Sequence, residues 1–145
     1  MTVLSFSLNG APRGQGRPRA AVRGSHASVY KATPDRKYED SIRKAAAKIM
    51  DGRDPLEGPV SLSLRFRLPI PKSYNKRVRA SMLAGETPPT TKPDLSNMVK
   101  AIEDALNGVA FVDDSQVVRS FQTKIYAEQP GVDVRIEAFA PQGEN

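Results

Sequence analysis

The sequence predicts an α+β domain in which a small mixed or antiparallel sheet packs against two main helices. Three observations lead to it. Four stretches alternate apolar and polar residues with the period of a half-buried strand, two longer stretches carry apolar residues at helical spacing, and neither an internal repeat nor a linker divides the chain. The 145 residues are expected to form a single domain over 1–145. A chain of this length buries roughly two-thirds of its unfolded surface and needs no covalent staple.

In chain order, the first strand is short, with Leu4, Phe6 and Leu8 on one side and Ser5 and Ser7 on the other. A short extra strand or hairpin is placed around Val22 to Tyr30. The first main helix runs from Asp35 to about Met50: Tyr38, Ile42, Ala45, Ala46 and Ile49 share its spacing, Pro34 starts it and Gly52 follows as a stop. The clearest strand sets Val60, Leu62, Leu64, Phe66 and Leu68 against Ser61, Ser63, Arg65 and Arg67. A shorter helix is placed between Asn75 and Ala84, and Gly85 to Thr91 is loop.

The second main helix runs from near Asp94 to Asn107, between Pro93 and Gly108. Its apolar stripe is Leu95, Met98, Val99, Ile102 and Leu106. A β-branched and aromatic strand follows from about Val117 to Tyr126, and a last one sets Val132, Val134, Ile136 and Ala138 against Asp133, Arg135 and Glu137. Gln129-Pro130-Gly131 between them has the composition of a hairpin turn, so these two strands are expected to pair antiparallel.

Composition narrows the chemistry. With no cysteine, disulfides, zinc–thiolate sites, iron–sulfur clusters and thiol nucleophiles are all excluded. The single histidine, His26, leaves no material for a histidine-rich metal site, and no role is assigned to it. No apolar run reaches the roughly 20 residues of a membrane span, and no basic-then-apolar signal opens the chain, so a soluble, cytoplasmic protein without membrane partners is expected. The formal charge is +6 and unevenly spread: the first fifty residues carry ten basic and three acidic side chains, the last forty-five carry three and eight. A basic front beside an acidic rear suits a polyanion such as nucleic acid; ordinary solvated surface charge is the plainer alternative. Aromatic residues make up only 6% with no tryptophan, which argues against a base-stacking single-strand platform.

Two basic stretches are candidates for nucleic-acid contact. In Arg13-Gly14-Gln15-Gly16-Arg17-Pro18-Arg19, with Arg23 beyond, the arginines project from an extended segment that can track a phosphate backbone. Lys72, Lys76, Arg77 and Arg79 form the second. The acidic chemistry lies elsewhere. At about 100° per residue, Asn97, Lys100 and Asp104 fall opposite the apolar stripe, with Asp94 at the head of the helix. Asp113 and Asp114 then stand side by side just before a strand. Carboxylates gathered without histidine or cysteine select Mg²⁺ or Mn²⁺. Each residue also has a plainer use: Asp94 as a helix cap, Asp113-Asp114 as a solvated Asx turn, Lys100 with Asp104 as an i, i+4 surface pair.

The run from Lys92-Pro93-Asp94-Leu95-Ser96-Asn97 through Lys100, then Asp104-Ala105-Leu106-Asn107-Gly108 and Asp113-Asp114-Ser115-Gln116-Val117, resembles the RusA family of Holliday-junction resolvases, common in bacteria and prophages. Gly16-Arg17-Pro18-Arg19 is similar to an element near the N-terminus of many members. The resemblance implies a Mg²⁺-dependent endodeoxyribonuclease, with Mn²⁺ as a possible substitute, that acts as a homodimer on four-way DNA junctions. It assigns Asp94, Asp114 and Asp113 to metal and catalysis, Lys100 to catalysis or DNA contact, and Asn97 to the edge of the acidic motif; Arg13, Arg17, Arg19, Arg23, Lys76 and Arg77 join Asn97 and Lys100 as expected DNA contacts. One departure stands out: the second aspartate of the family's Asp-x-Asp is Ser96 here. Either Asp113 or Asp104 compensates, or Ser96 holds a metal-bound water, or the protein binds junctions without cutting them well.

Overall fold

Val60, Leu62, Leu64, Phe66 and Leu68 all lie on one side of a single strand and all are buried, which draws that strand to the centre of the sheet. The computed structural model describes residues 2–15, 19–23, 26–30 and 33–139. Its elements in chain order are β1 (Val3–Asn9), β2 (Arg19–Arg23), β3 (His26–Tyr30), α1 (Thr33–Met50), β4 (Val60–Leu68), α2 (Lys76–Leu83), α3 (Leu95–Leu106), a 3₁₀ turn (Asp114–Gln116), β5 (Val117–Tyr126) and β6 (Gly131–Ala138). The expected fold class is the observed one, an α+β domain. The sheet is mixed, in the order β1-β6-β4-β5, and β2 and β3 form a separate antiparallel pair.

The expected hairpin between the last two strands is not formed. β6 runs antiparallel to β1 on one side and to β4 on the other, with Leu4 opposite Ile136 and Leu64 opposite Val134. β5 pairs with β4 alone, in parallel. Burial explains the choice. Val132, Val134 and Ile136 are 2% exposed or less and fill the interior of the sheet, whereas β5 is exposed through its middle and takes the edge. The chain crosses the end of β4 to get there: Ala127 N–H donates to Leu68 O, the Arg67 guanidinium to Gln129 O, and Gly10 N–H to Pro130 O.

α1 and α3 pack together on one face of the sheet, α1 toward β1 and α3 toward β5. Ile42 and Ala46 of α1 meet Met98, Ile102 and Leu106 of α3 over the β4 and β6 side chains, all within one core. Burying one large aliphatic side chain contributes about 1.5–3 kcal/mol, so the heptad-like stripe holds α3 in its rotational setting. That setting turns the opposite, polar side of α3 outward. Gly108, at φ 78°, reverses the chain directly after the helix, and its N–H donates to Phe111 O at 2.7 Å.

Candidate active site

Asp94 occupies the N-cap position of α3, but its carboxylate makes no capping hydrogen bond, so the plainer use expected of it does not apply. The side chain is exposed. The loop that delivers it is held from the sheet: the Lys124 ammonium on β5 donates to Thr91 O at 2.9 Å and Pro93 O at 3.2 Å. Along the outer face of α3, Ser96, Lys100 and Glu103 recur at i, i+4 and i+7, with Asn97 and Asp104 beside them and Asn107 following as the C-cap.

The two adjacent aspartates divide their work. Asp113 caps the 3₁₀ turn, its Oδ2 accepting from Ser115 N–H at 3.0 Å, and hydrogen bonding from the Ser115 side chain first, then from that backbone N–H, holds its carboxyl below the ordinary carboxylate range. Gln116 closes the capping box: its Oε1 accepts from Val112 N–H and Asp113 N–H at 2.8 and 2.9 Å. Its Nε2 donates to Leu56 O and Gly58 O, both at 2.8 Å, tying the turn to the segment before β4. Asp113 is therefore the Asx-type turn residue, and Asp114 is the one presented to α3.

The Lys100 ammonium stands 3.2 Å from Asp104 and 3.6 Å from Asp114. Asp104, bonded to it and closest in charge, raises the lysine above its ordinary range, with Asp114 adding to the effect. Partial burial, and then the charge of Asp114, pushes the neighbouring Glu103 carboxyl up. Asn107 Nδ2 approaches Asp114 Oδ1 at 3.5 Å, while the buried Oδ1 of Asn107 has no protein partner. The N-terminal segment is strapped across the same helix. Gln15 N–H donates to Asn97 O at 3.1 Å, and its side-chain amide bonds to Asp104. Gly14 lies so close that a β-carbon there would come within 3.2 Å of Asn97 Cβ and 3.3 Å of Pro93 Cβ.

Of the residues singled out from sequence, Lys100, Asp104 and Asp114 thus meet. Asp94 and Asn97 lie in the same helix at its N-terminal end, and Asp113 is drawn into the turn. Arg13 donates to Asp35 at 3.1 Å while staying half exposed. Lys76 and Arg77 are exposed at the start of α2. Arg19 and Arg23 begin and end β2, and Arg17 lies outside the described residues. Sequence reasoning passed over Gln15, Asn107, Gln116 and Lys124. Only Gln116 carried a readable signal, the Asp-x-x-Gln spacing of a capping box.

The donors fit a hard divalent cation in type, since every candidate ligand is an oxygen. They do not preassemble a cage: among the described residues no three carboxylate, imidazole or thiol groups gather as a metal cluster. That is compatible with Mg²⁺, which is commonly held by one or two carboxylates together with substrate phosphates and water.

The acidic turn, the Lys100 bridge and the strapped N-terminal segment all fall inside the stretch matched by one family model. That model is described as endodeoxyribonuclease RusA, and it matches residues 9–137. The chain belongs to the RusA family. It is also 34% identical over 138 residues to an uncharacterised protein of Bacillus subtilis (strain 168), YqaN, across 94% of this chain and 96% of that one. Within this RusA-family chain Ser96 lies one helical turn before Lys100 and is exposed, so the hydroxyl shares the outer face of α3 with Lys100 and Asp104. Among the described residues no helix is long and apolar enough to cross a membrane.

Proposed function

We propose that this RusA-family chain binds four-way DNA junctions as a homodimer and resolves them by paired symmetric nicks in a Mg²⁺- or Mn²⁺-dependent reaction. The observation that carries the reading is the meeting of Lys100 with Asp104 and Asp114 on the exposed face of the helix that Asp94 begins. Asp94 and Asp114 would hold the cation, with Asp113 fixing the turn that presents Asp114 and standing next in line as a ligand. When bound, the cation supplies Lewis-acid stabilisation of charge on the phosphate oxygens and activates water.

The residues of the chain do the rest. Water attacks phosphorus, the bond to the 3′ oxygen breaks, and the products are a 5′-phosphate and a 3′-hydroxyl. Lys100 opposes the negative charge that builds on the phosphorus oxygens and the leaving oxygen. Asp104 keeps that ammonium aimed at the site. Arg13, Arg17, Arg19, Arg23, Lys76, Arg77 and Asn97 grip the arms chiefly through phosphates, which makes affinity fall steeply with salt. A four-way junction has approximate twofold symmetry, so an isologous dimer offers one site to each of two equivalent strands. A single endonuclease domain in the cytoplasm goes with this reading.

Ser96 favours a second reading, a junction-binding protein that cuts weakly, because its hydroxyl brings no charge to the position of a family aspartate. Purified protein, a synthetic four-way junction and a titration of Mg²⁺ and Mn²⁺ separate the two. Paired nicks that need the cation are expected. Tight junction binding with no nicking at any metal concentration would establish the second reading instead.

A further inference from the structure

We infer that the flank of α1 turned away from α3 is a second phosphate-binding surface, which holds the backbone of a DNA arm remote from the candidate active site. Lys37, Lys44 and Lys48 carry it. At about 100° per residue they fall within roughly 40° of one another, on the side of the helix away from the fully buried Ile42 and Ala46. From first to last they cover about 16 Å of helix axis. All three are exposed, and none forms an ion pair among the described residues. The acid on this flank, Asp40, is turned to Arg43 at 3.4 Å.

The lysines border a groove that Ser41 and Ala45 of α1 and Leu8 of β1 also line, with Asp40 the one acid among its lining residues, against three lysines. Ser41 and Ala45 are small and leave room for a backbone to approach, and ammonium groups in a row suit a polymer with one negative charge per about 1.7 Å of duplex axis. Lysine meets phosphate as a point charge, so such a surface positions DNA without reading its sequence. Its place in the fold separates it from the catalytic face. α1 covers the β1 side of the sheet and α3 the β5 side. Arg43 reaches Asp104 O at 3.5 Å, and the lysines, roughly 100–140° round the helix from it, are turned away from that contact. Neither basic stretch identified in the sequence includes these residues.

The inference rests on the junction-binding reading and deepens it. It is tested by binding a labelled synthetic four-way junction in EDTA, which blocks cleavage, over a range of salt concentrations. The protein is compared with the triple variant Lys37→Ala/Lys44→Ala/Lys48→Ala and with the triple Lys→Arg variant, all checked for equal melting temperature. The slope of log affinity against log salt is expected to become shallower by about 2–3 in the alanine variant, one phosphate contact for each lysine. The arginine variant, which keeps the charge, should retain the parent slope. An alanine variant with the parent slope and affinity overturns the inference and leaves the stripe to another acidic partner. Failure of the junction-binding reading itself looks different: the unmodified protein would then retain no junction at any salt concentration.

Discussion

Lys100 on α3 and Asp114 in the 3₁₀ turn come within 3.6 Å of each other although they belong to separate elements. The contact joins the polar face of a helix to the turn that leads into the edge strand. Because the lysine is about half exposed, the pair adds little to stability, within about 0.5 kcal/mol. Its value lies in charge. Lys100→Met is expected to leave the melting temperature almost unchanged while lowering the rate of junction cleavage by about 10²–10³. A single-turnover nicking assay beside a thermal melt checks both halves.

Asp94 and Asp114 are the carboxylates expected to face the cation. Asp94→Asn and Asp114→Asn should each abolish nicking while leaving junction binding intact or tighter, since a negative charge near the phosphate is removed. Gel-shift and cleavage assays on one junction distinguish the outcomes. A variant that cuts at the normal rate would strike that residue from the site.

Ser96 offers a gain-of-function test. Ser96→Asp adds an anionic oxygen to the exposed face of α3, one turn before Lys100, and is expected to shift the Mg²⁺ dependence of cleavage to lower concentration. An unchanged metal titration would mean that position 96 does not face the ion.

Gln116 makes four hydrogen bonds around the acidic turn, two as acceptor and two as donor. Gln116→Ala leaves the Leu56 and Gly58 carbonyls and two backbone N–H groups to find water. A stability loss of about 1–3 kcal/mol is expected, measured by urea denaturation. Cleavage at a temperature where the variant remains folded should fall further, because Asp114 is no longer held toward α3.

Acid stability should depend on Asp133, on the face of the sheet away from the helices. Burial by itself would raise its pKa, but the Ser7 hydroxyl at 2.8 Å, Arg65 at 2.9 Å and Arg67 at 3.2 Å together outweigh it and hold the carboxyl below its ordinary value. A depressed folded pKa stabilises the protein above the unfolded value of about 3.9 and ceases to do so as pH falls through the lower folded value. Asp133→Asn should therefore lower the melting temperature at neutral pH and flatten its decline between pH 4 and the acid limit. Parallel melting curves for the two proteins through that window would contradict the assignment.

Periodicity carried much of the fold. The strands at Val60–Leu68 and Gly131–Ala138 and the helix Leu95–Leu106 were legible because each buries one face, and a buried face must repeat with the period of its backbone. The polar face bearing Lys100 and Asp104 followed from the same repeat. Strand order did not. A Gln-Pro-Gly turn describes only how the chain bends, and the pairing partner was chosen by the burial of Val132, Val134 and Ile136.

The residue types alone determined that thiolate and histidine-rich metal sites are excluded, and that the chain carries its positive charge in front and its acids behind. Only the folded chain decided that Asp113 caps a turn while Asp114 reaches Lys100, that Gln15 crosses to Asp104, and that Lys124 holds the loop before Asp94. Those contacts join positions far apart along the chain. Local spacing encodes which way a side chain points on its own element, but the distance between two elements is set by how their apolar faces pack, and no short stretch of sequence contains both.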